Sequence, residues 1–264
     1  MKCNDEIRQA NRKALPKFIL LVALGAAVGG VLGYLAAEHG LEGLSGILRR
    51  AGLAFGQWAA PWLLLALAVA VPAAGVPLYR RARALLAGWD GEEEALSDRI
   101  EWKLSLALWL GGGALILALF LLTAAYSGGF VMLESPGGAG RFLLSIGAFL
   151  AVLAETVLLQ QKCVDAAKRM NPEKTASVYD MKFQRKWVES CDEAEKLLMG
   201  RCAFRAFRVT NGVCTALALV LAVAALALGT GILPSLVVCL IWLVNLCVYC
   251  GESLRLSRSG VRIS

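Results

Sequence analysis

Glu155 is an acidic residue inside a long apolar stretch of the chain, which makes it the first candidate for chemistry. A charge at membrane depth is costly, so such residues usually face other helices or water. Asn211 and Asn245 lie at comparable depth in two later apolar stretches, and Arg208 lies one helical turn before Asn211. We expect the Glu155 side chain to face inward and to meet one of these three residues. The contact is either a polar clamp between helices or a proton or cation site, and we favour the clamp.

Enzyme chemistry has little support elsewhere in the chain. The single histidine, His39, cannot supply the ligand set of an intramembrane metalloprotease, and no Gly-x-Ser-x-Gly or Walker-type motif is present. Cys247 and Cys250 have metal-ligand spacing but lack a second pair, and the acidic run Glu92–Glu94 fits the first turn of a helix. We therefore expect no enzymatic activity, no cofactor and no metal site.

The apolar stretches around these residues determine the class of protein. Hydrophobic residues make up 58% of the chain, and the mean hydropathy is +0.63. A membrane-spanning helix needs about 20 mainly apolar residues. Six stretches have this length, and we call them spans one to six: Phe18–Ala37, Trp58–Tyr79, Leu104–Tyr126, Phe142–Gln160, Val209–Leu228 and Leu233–Cys250. The sequence predicts an all-α, polytopic bundle of six transmembrane helices that forms a single membrane domain, 1–264.

The distribution of positive charge predicts the orientation of this bundle. Of the 27 lysine and arginine residues, all but Arg49, Arg50 and Arg141 lie in the N-terminal segment, the second and fourth loops and the C-terminal tail. Because basic residues collect on the cytoplasmic side, we expect a multi-pass protein of the cell membrane with both termini in the cytoplasm. The net charge of +7 is then explained by the basic residues beside the spans, which are attracted to the anionic headgroups of the lipid bilayer. We expect no binding to nucleic acid.

The fourth loop, between spans four and five, is the longest segment outside the spans. Asn171 can cap a helix whose first turn contains Pro172, where a missing N–H costs nothing. Ser190 and Glu193 have the spacing of a capping box, which predicts a second helix that continues into span five. We therefore expect a cytoplasmic helical hairpin at about 165–205, inserted within the membrane domain.

Aromatic residues recur at every fourth position of this loop, at Tyr179, Phe183 and Trp187. In a helix these three side chains would form one stripe. The stripe can pack on the neighbouring helix or on the membrane surface, or it can dock a partner protein. We favour packing, and the three residues are also our candidates for partner docking.

Two segments of the chain look like diverged copies of each other. The copies are Val76–Glu92 and Val157–Glu173. Each begins within a span, continues as a basic helical segment and then reaches a capping residue. Spans two and four both run inward, so the pattern predicts a parallel internal repeat.

A family resemblance rests mainly on the fourth loop, which has the sequence Asn171-Pro-Glu-Lys-Thr-Ala-Ser-Val-Tyr-Asp-Met-Lys-Phe-Gln-Arg-Lys-Trp187, followed by Ser190-Cys-Asp-Glu-Ala-Glu-Lys196. These segments resemble a bacterial membrane family catalogued as domain of unknown function 3169. The resemblance extends to Arg201–Cys214 and to Ile100–Leu108 before span three. It implies a multi-span bacterial membrane protein, and it brings no activity because none is established for the family.

Two classes of function remain open. The first is a non-catalytic accessory or regulatory membrane protein that acts through a membrane or cytoplasmic protein partner. We favour it because the spans contain few polar residues for a substrate path. The alternative is a small permease, or the membrane subunit of an exporter that uses a separate ATPase, because six spans in 264 residues suit such a subunit.

Overall fold

In the computed structural model of the chain, most of the described residues lie in helices. The described residues are 12, 15, 16, 19, 20, 23–27, 30, 31, 34, 42–129, 133–174 and 176–258. No residue among them lies in a β-strand. The prediction of an all-α protein is confirmed for this part of the chain.

The helices follow the apolar stretches of the sequence. Their bounds are α1 Glu42–Ala54, α2 Ala60–Ala87, α3 Glu94–Ala125, α4 Gly138–Met170, α5 Phe183–Glu189, α6 Glu193–Leu228 and α7 Leu233–Arg258. A π-helical segment, Phe55–Ala59, joins α1 to α2 without a break.

Several of these helices are long and apolar enough to cross a membrane. The five stretches that qualify are Ser45–Ala87, Glu94–Ala125, Gly138–Met170, Glu193–Ala225 and Leu233–Glu252. Each contains most of one predicted span, from span two to span six. Half of span one, Phe18–Ala37, lies outside the described residues, and the positions described within it are helical. The fold is therefore that of a multi-pass helical membrane protein.

The chain divides into two compact units. We call Leu48–Leu198 the central unit, and Met1–Ile47 together with Met199–Ser264 the terminal unit. The prediction of a single membrane domain, 1–264, concerns how these units assemble, and it stays a prediction.

Small residues allow α2, α3 and α4 to pack closely in the central unit. In lipid, the attraction between helices comes mainly from close packing, because the hydrophobic effect does not act between them. A Cβ atom on Gly75 of α2 would come within 2.5 Å of the Leu159 side chain of α4. A Cβ atom on Gly56 would come within 2.1 Å of the carbonyl oxygen of Ala124 in α3. The buried residues of this region are Ala60, Leu64, Ala68, Val71, Ala118, Leu121, Ala125, Ala148 and Val152.

A second buried cluster lies where α2 and α4 end and α3 begins. It consists of Ala82, Ile100, Leu104, Ala107, Leu159, Cys163, Ala166 and Met170. Arg80, Arg83 and Lys162 also lie at this end of the three helices, which we call the basic end of the central unit. At the opposite end, the Arg141 guanidinium lies 4.4 Å from the centre of the Trp58 ring.

The terminal unit contains most of α6 and all of α7. The Asn245 side-chain amide donates a hydrogen bond of 3.2 Å to the Asn211 side-chain oxygen. The Phe207 and Tyr249 rings stack with their centres 4.2 Å apart. A polar contact and an aromatic contact thus join the two helices of this unit.

Candidate functional site in the fourth loop

Asn171 ends α4, and the chain continues as a series of turns rather than as a helix. The Asp180 carboxylate accepts a hydrogen bond of 2.8 Å from the backbone N–H of Lys182. The backbone carbonyl of Asp180 accepts another, of 2.9 Å, from Phe183, the first residue of α5. The prediction that a helix begins at Asn171 and includes the whole aromatic stripe is therefore wrong. Side-chain bonds to the backbone compete with helix formation at such positions.

Lys174 is buried at the centre of this segment, with 6% of its side chain exposed. Its ammonium pairs with the carboxylate of Glu195, at the start of α6. The same ammonium lies 5.2 Å from the centre of the Trp187 ring in α5. A buried charge needs such partners, because removing it from water is costly. One side chain thus connects the turns, α5 and α6.

Glu195 binds two groups with its two carboxylate oxygens. Oε1 pairs with Lys174, and Oε2 accepts a hydrogen bond of 3.3 Å from the backbone N–H of Asp192. The Asp192 carboxylate in turn accepts one of 2.6 Å from the backbone N–H of Glu195. This reciprocal arrangement is a capping box. The helix begins at Glu193, two residues later than the sequence predicted, because Asp192 and Glu195 cap it rather than Ser190 and Glu193.

The ion pair shifts the pKa of both partners. Burial by itself lowers the pKa of Lys174, but the hydrogen bond and the negative charge of Glu195 outweigh this and raise that pKa above its ordinary value. The hydrogen bond from Lys174 lowers the pKa of Glu195. Burial raises the pKa of the neighbouring Cys191 thiol. Cys191 is therefore a weak nucleophile, and the charged pair is present throughout the physiological pH range.

A cleft of about 540 Å³ lies between the loop and helices α3 and α4, and we call it the loop cleft. Its lining mixes apolar side chains with amide, carboxylate and ammonium groups. The polar residues include Glu101, Gln160, Asn171, Lys174, Gln184 and Glu195. Among these residues, Lys174 and Glu195 bind each other and so connect the loop to α6.

The three aromatic candidates occupy two different environments. Phe183 and Trp187 are neighbours on α5, with ring centres 5.6 Å apart, and both line the loop cleft. Tyr179 lies in the turns, is 62% exposed, and donates a hydrogen bond from its hydroxyl to Gln161 of α4. Met181 and Val188 are also exposed. We use the name loop face for the exposed large apolar side chains of this loop, Tyr179, Met181 and Val188.

Glu155 lies in a second pocket, of about 370 Å³, between α2 and α4. Arg80 and Arg83 of α2 and Lys162 of α4 line the same pocket. The Oε2 atom of Glu155 is buried and has no hydrogen-bond partner among the described residues. Within the central unit, the side chain therefore faces α2 and a group of basic residues.

The remaining predicted site residues lie in the terminal unit. Asn211 and Asn245 bind each other. The Arg208 guanidinium lies 5.6 Å from the centre of the Phe204 ring on its own helix. A contact between Glu155 and any of Asn211, Asn245 or Arg208 depends on how the two units pack, and it stays a prediction. In the part of the chain that the structure describes, no group of three or more metal-binding side chains could hold an ion.

Sequence reasoning missed the two residues that hold the loop, Lys174 and Glu195. Lys174 is one of many basic residues in the loop, and nothing beside it in the sequence indicates burial. The basic residues near Glu155 could have been predicted in part from their spacing in the sequence. Arg80 and Arg83 are three positions apart, a spacing that places both on one face of a helix.

Comparison with known protein families, with curated proteins and with solved structures finds no match to this chain. Its class, a multi-pass helical membrane protein, therefore rests on the five long apolar helices. The resemblance to domain of unknown function 3169 stays a prediction.

Proposed function

We propose that this protein is a non-catalytic accessory or regulatory protein of a bacterial cell membrane, with six spans and both termini in the cytoplasm. It acts through a protein partner that binds the fourth loop at the loop face, and Phe183 and Trp187 stay candidates for the same contact. Its basic residues lie beside the anionic headgroups of the inner leaflet. Membership of domain of unknown function 3169 and the parallel repeat of Val76–Glu92 and Val157–Glu173 are parts of the same proposal.

The anchored fourth loop is the observation that supports this proposal most. Ala176 and Cys191 are 1% and 6% exposed, so the loop is buried at these points as well as at Lys174. A loop that is already fixed loses little conformational freedom when a partner binds, which lowers the entropic cost of association. The loop face presents exposed apolar side chains on this fixed base.

Cysteine labelling tests the orientation. Met181→Cys places a thiol on a fully exposed position of the fourth loop, and Gly140→Cys places one near the start of α4, where an added side chain meets open space. In cells that express each variant without the native cysteines, an impermeant maleimide should label position 140 from outside. It should label position 181 only after permeabilisation. The opposite pattern would refute the orientation.

Site-specific crosslinking tests the partner. A photoreactive side chain at position 181 should capture the same protein that co-purifies with the wild type in mild detergent. The same group at Leu150, an exposed apolar position within span four, should not capture it. Met181→Asp should lose the complex, whereas Glu173→Gln, a change at an exposed position of the same loop, should keep it. A protein that purifies alone and forms no adduct at position 181 would exclude this role.

One observation favours the alternative, a small permease or the membrane subunit of an exporter that uses a separate ATPase. The buried Oε2 atom of Glu155 has no hydrogen-bond partner among the described residues, and Pro72 lines the same pocket. Intramembrane carboxylates often mark ion paths, and proline interrupts the hydrogen bonds of a spanning helix.

Glu155→Gln separates the two roles, because the substitution keeps the size and the hydrogen-bonding capacity of the side chain. In a permease it should abolish proton- or cation-coupled flux in reconstituted vesicles while the protein remains folded. In an accessory protein it should leave both folding and partner binding intact. Co-purification of an ATPase whose activity responds to this variant would favour the exporter.

A further inference from the structure

A groove runs between α2 and α4 at the basic end of the central unit, and both of its walls carry an apolar residue followed by basic ones. The residues that define it are Val76, Arg80 and Arg83 of α2 and Glu155, Leu158 and Lys162 of α4. Residues three or four positions apart lie on one face of a helix. Towards the basic end, the α2 wall changes from Val76 to Arg80 and Arg83, and the α4 wall changes from Glu155 through Leu158 to Lys162.

The contact between Gly75 and Leu159 fixes how the two walls are aligned. Arg80 lies five residues beyond Gly75, and Lys162 lies three residues beyond Leu159. At 1.5 Å per residue, these two cations are within about 3 Å of each other along the helix axes. Glu155 lies seven residues before Lys162 on α4, which is about 10 Å deeper in the helix bundle.

Among the described residues, the three cations of the groove form no ion pair with an acidic residue. Of the described residues that line the groove, Glu155 alone is acidic, and it lies at the deep end. The shallow end therefore has a local excess of positive charge next to an apolar wall.

We propose that this groove binds an anionic phospholipid. The headgroup phosphate binds Arg80, Arg83 and Lys162, since guanidinium groups match the geometry of phosphate oxygens and the lysine ammonium binds phosphate as a point charge. One acyl chain lies against Val76 and Leu158, which are 36% and 53% exposed. The cations lie near the ends of two spanning helices, at the level where headgroups lie. The proposal rests on the membrane placement of α2 and α4 and is independent of the partner that binds the loop face.

Native mass spectrometry of the full chain in mild detergent tests the site. The probes are phosphatidylglycerol, phosphatidylcholine with the same acyl chains, and inorganic phosphate. Wild-type protein should bind phosphatidylglycerol in preference to phosphatidylcholine. A triple variant with Arg80→Gln, Arg83→Gln and Lys162→Gln should bind it about 100-fold more weakly, because each cation near a membrane surface contributes a factor of about five.

A second triple variant, with Arg81→Gln, Arg99→Gln and Lys103→Gln, is the matched control. It removes the same charge from α2 and α3, at residues that do not line the groove. This variant should retain the affinity of the wild type within about threefold. Equal losses in the two triple variants would mean unspecific attraction and would overturn the proposal.

A variant that keeps every charge tests the apolar wall. Val76→Trp fills the part of the groove assigned to the acyl chain and should weaken phosphatidylglycerol binding at least tenfold. Unchanged affinity in Val76→Trp, or in the groove triple variant, would overturn the proposal. Competition by millimolar inorganic phosphate would also overturn it, because the site would then bind a free ion rather than a lipid.

Discussion

Glu195→Gln is expected to open the fourth loop. The substitution removes the charge that compensates the buried ammonium of Lys174 while keeping a side chain that can still cap α6. Loss of one partner of a buried ion pair is destabilising, because the remaining charge stays away from water. The loop should therefore leave its packed position more often than in the wild type.

The size of the effect follows from the uneven burial of the pair. Lys174 is 6% exposed and Glu195 is 39% exposed. Breaking a fully buried pair costs about 3–5 kcal/mol, whereas an exposed pair contributes about 0–1 kcal/mol. Glutamine still accepts a hydrogen bond, and the Trp187 ring still faces the ammonium, in a cation–π contact that contributes about 1 kcal/mol. We therefore expect the substitution to lower the free energy of loop opening by about 2 kcal/mol. That is about a 30-fold increase in the open population.

Cys191 provides a native probe of this opening, because it is 6% exposed and lies between α5 and α6. Its maleimide labelling rate in mild detergent, followed by mass spectrometry of the Cys191 peptide, should rise about 30-fold in Glu195→Gln. Glu189→Gln is the control, because it breaks an ion pair on the surface. The Arg185 side chain of this pair is 78% exposed and the Glu189 side chain is 59% exposed. That change should raise the rate about twofold at most.

The order of effects among variants gives a further check. Lys174→Met removes the buried charge, keeps most of the apolar stem and leaves a carboxylate that water can reach. It should therefore open the loop less than Glu195→Gln does. If Glu195→Gln and Glu189→Gln label at the same rate, the ion pair does not hold the loop and the reasoning is wrong.

Three further predictions follow from the described residues. Hydrogen exchange of 171–192, corrected for intrinsic rates, should increase as the pH falls below the ordinary value of 4.5 and through the lowered pKa of Glu195. It should increase again as the pH rises above 9.0, the ordinary pKa of Cys191, and through the raised pKa values of Cys191 and Lys174, with no change between pH 4.5 and 9.0. Gly56→Ala should lower the free energy of unfolding in detergent by about 2 kcal/mol, because the added Cβ would lie 2.1 Å from the Ala124 carbonyl oxygen. Gly113→Ala is the control and should not lower it, because a Cβ atom there meets open space. Asn245→Leu should destabilise the protein by about 0.6 kcal/mol in reversible unfolding, and no loss would show that its amide bond contributes nothing.

The fourth loop shows where local sequence patterns succeed and where they fail. The break before α6 was predicted from capping residues, which act over three or four positions. The helix through Tyr179 was predicted from aromatic spacing, and it is absent because Asp180 binds the backbone locally and Tyr179 bonds to α4. Spacing describes a helix only where no tertiary contact competes with it.

Glu155 shows the same difference between what local sequence predicts and what tertiary contacts decide. Its position inside an apolar stretch was evident, because hydropathy depends only on the residues next to it. The side chains it faces within the central unit, on α2, are more than 70 positions earlier in the chain. No local pattern indicates which face of a spanning helix turns towards which neighbour.

The sequence by itself determined the class of this protein, because about 20 consecutive apolar residues must leave water and satisfy their backbone groups in a helix. Only the tertiary structure decided that Lys174 is buried, since its partner Glu195 lies 21 positions away. The same holds for the groove, whose cations come from two helices that Gly75 brings into contact. Burial and charge clustering depend on which helices pack together, and that choice depends on all the contacts of the fold at once.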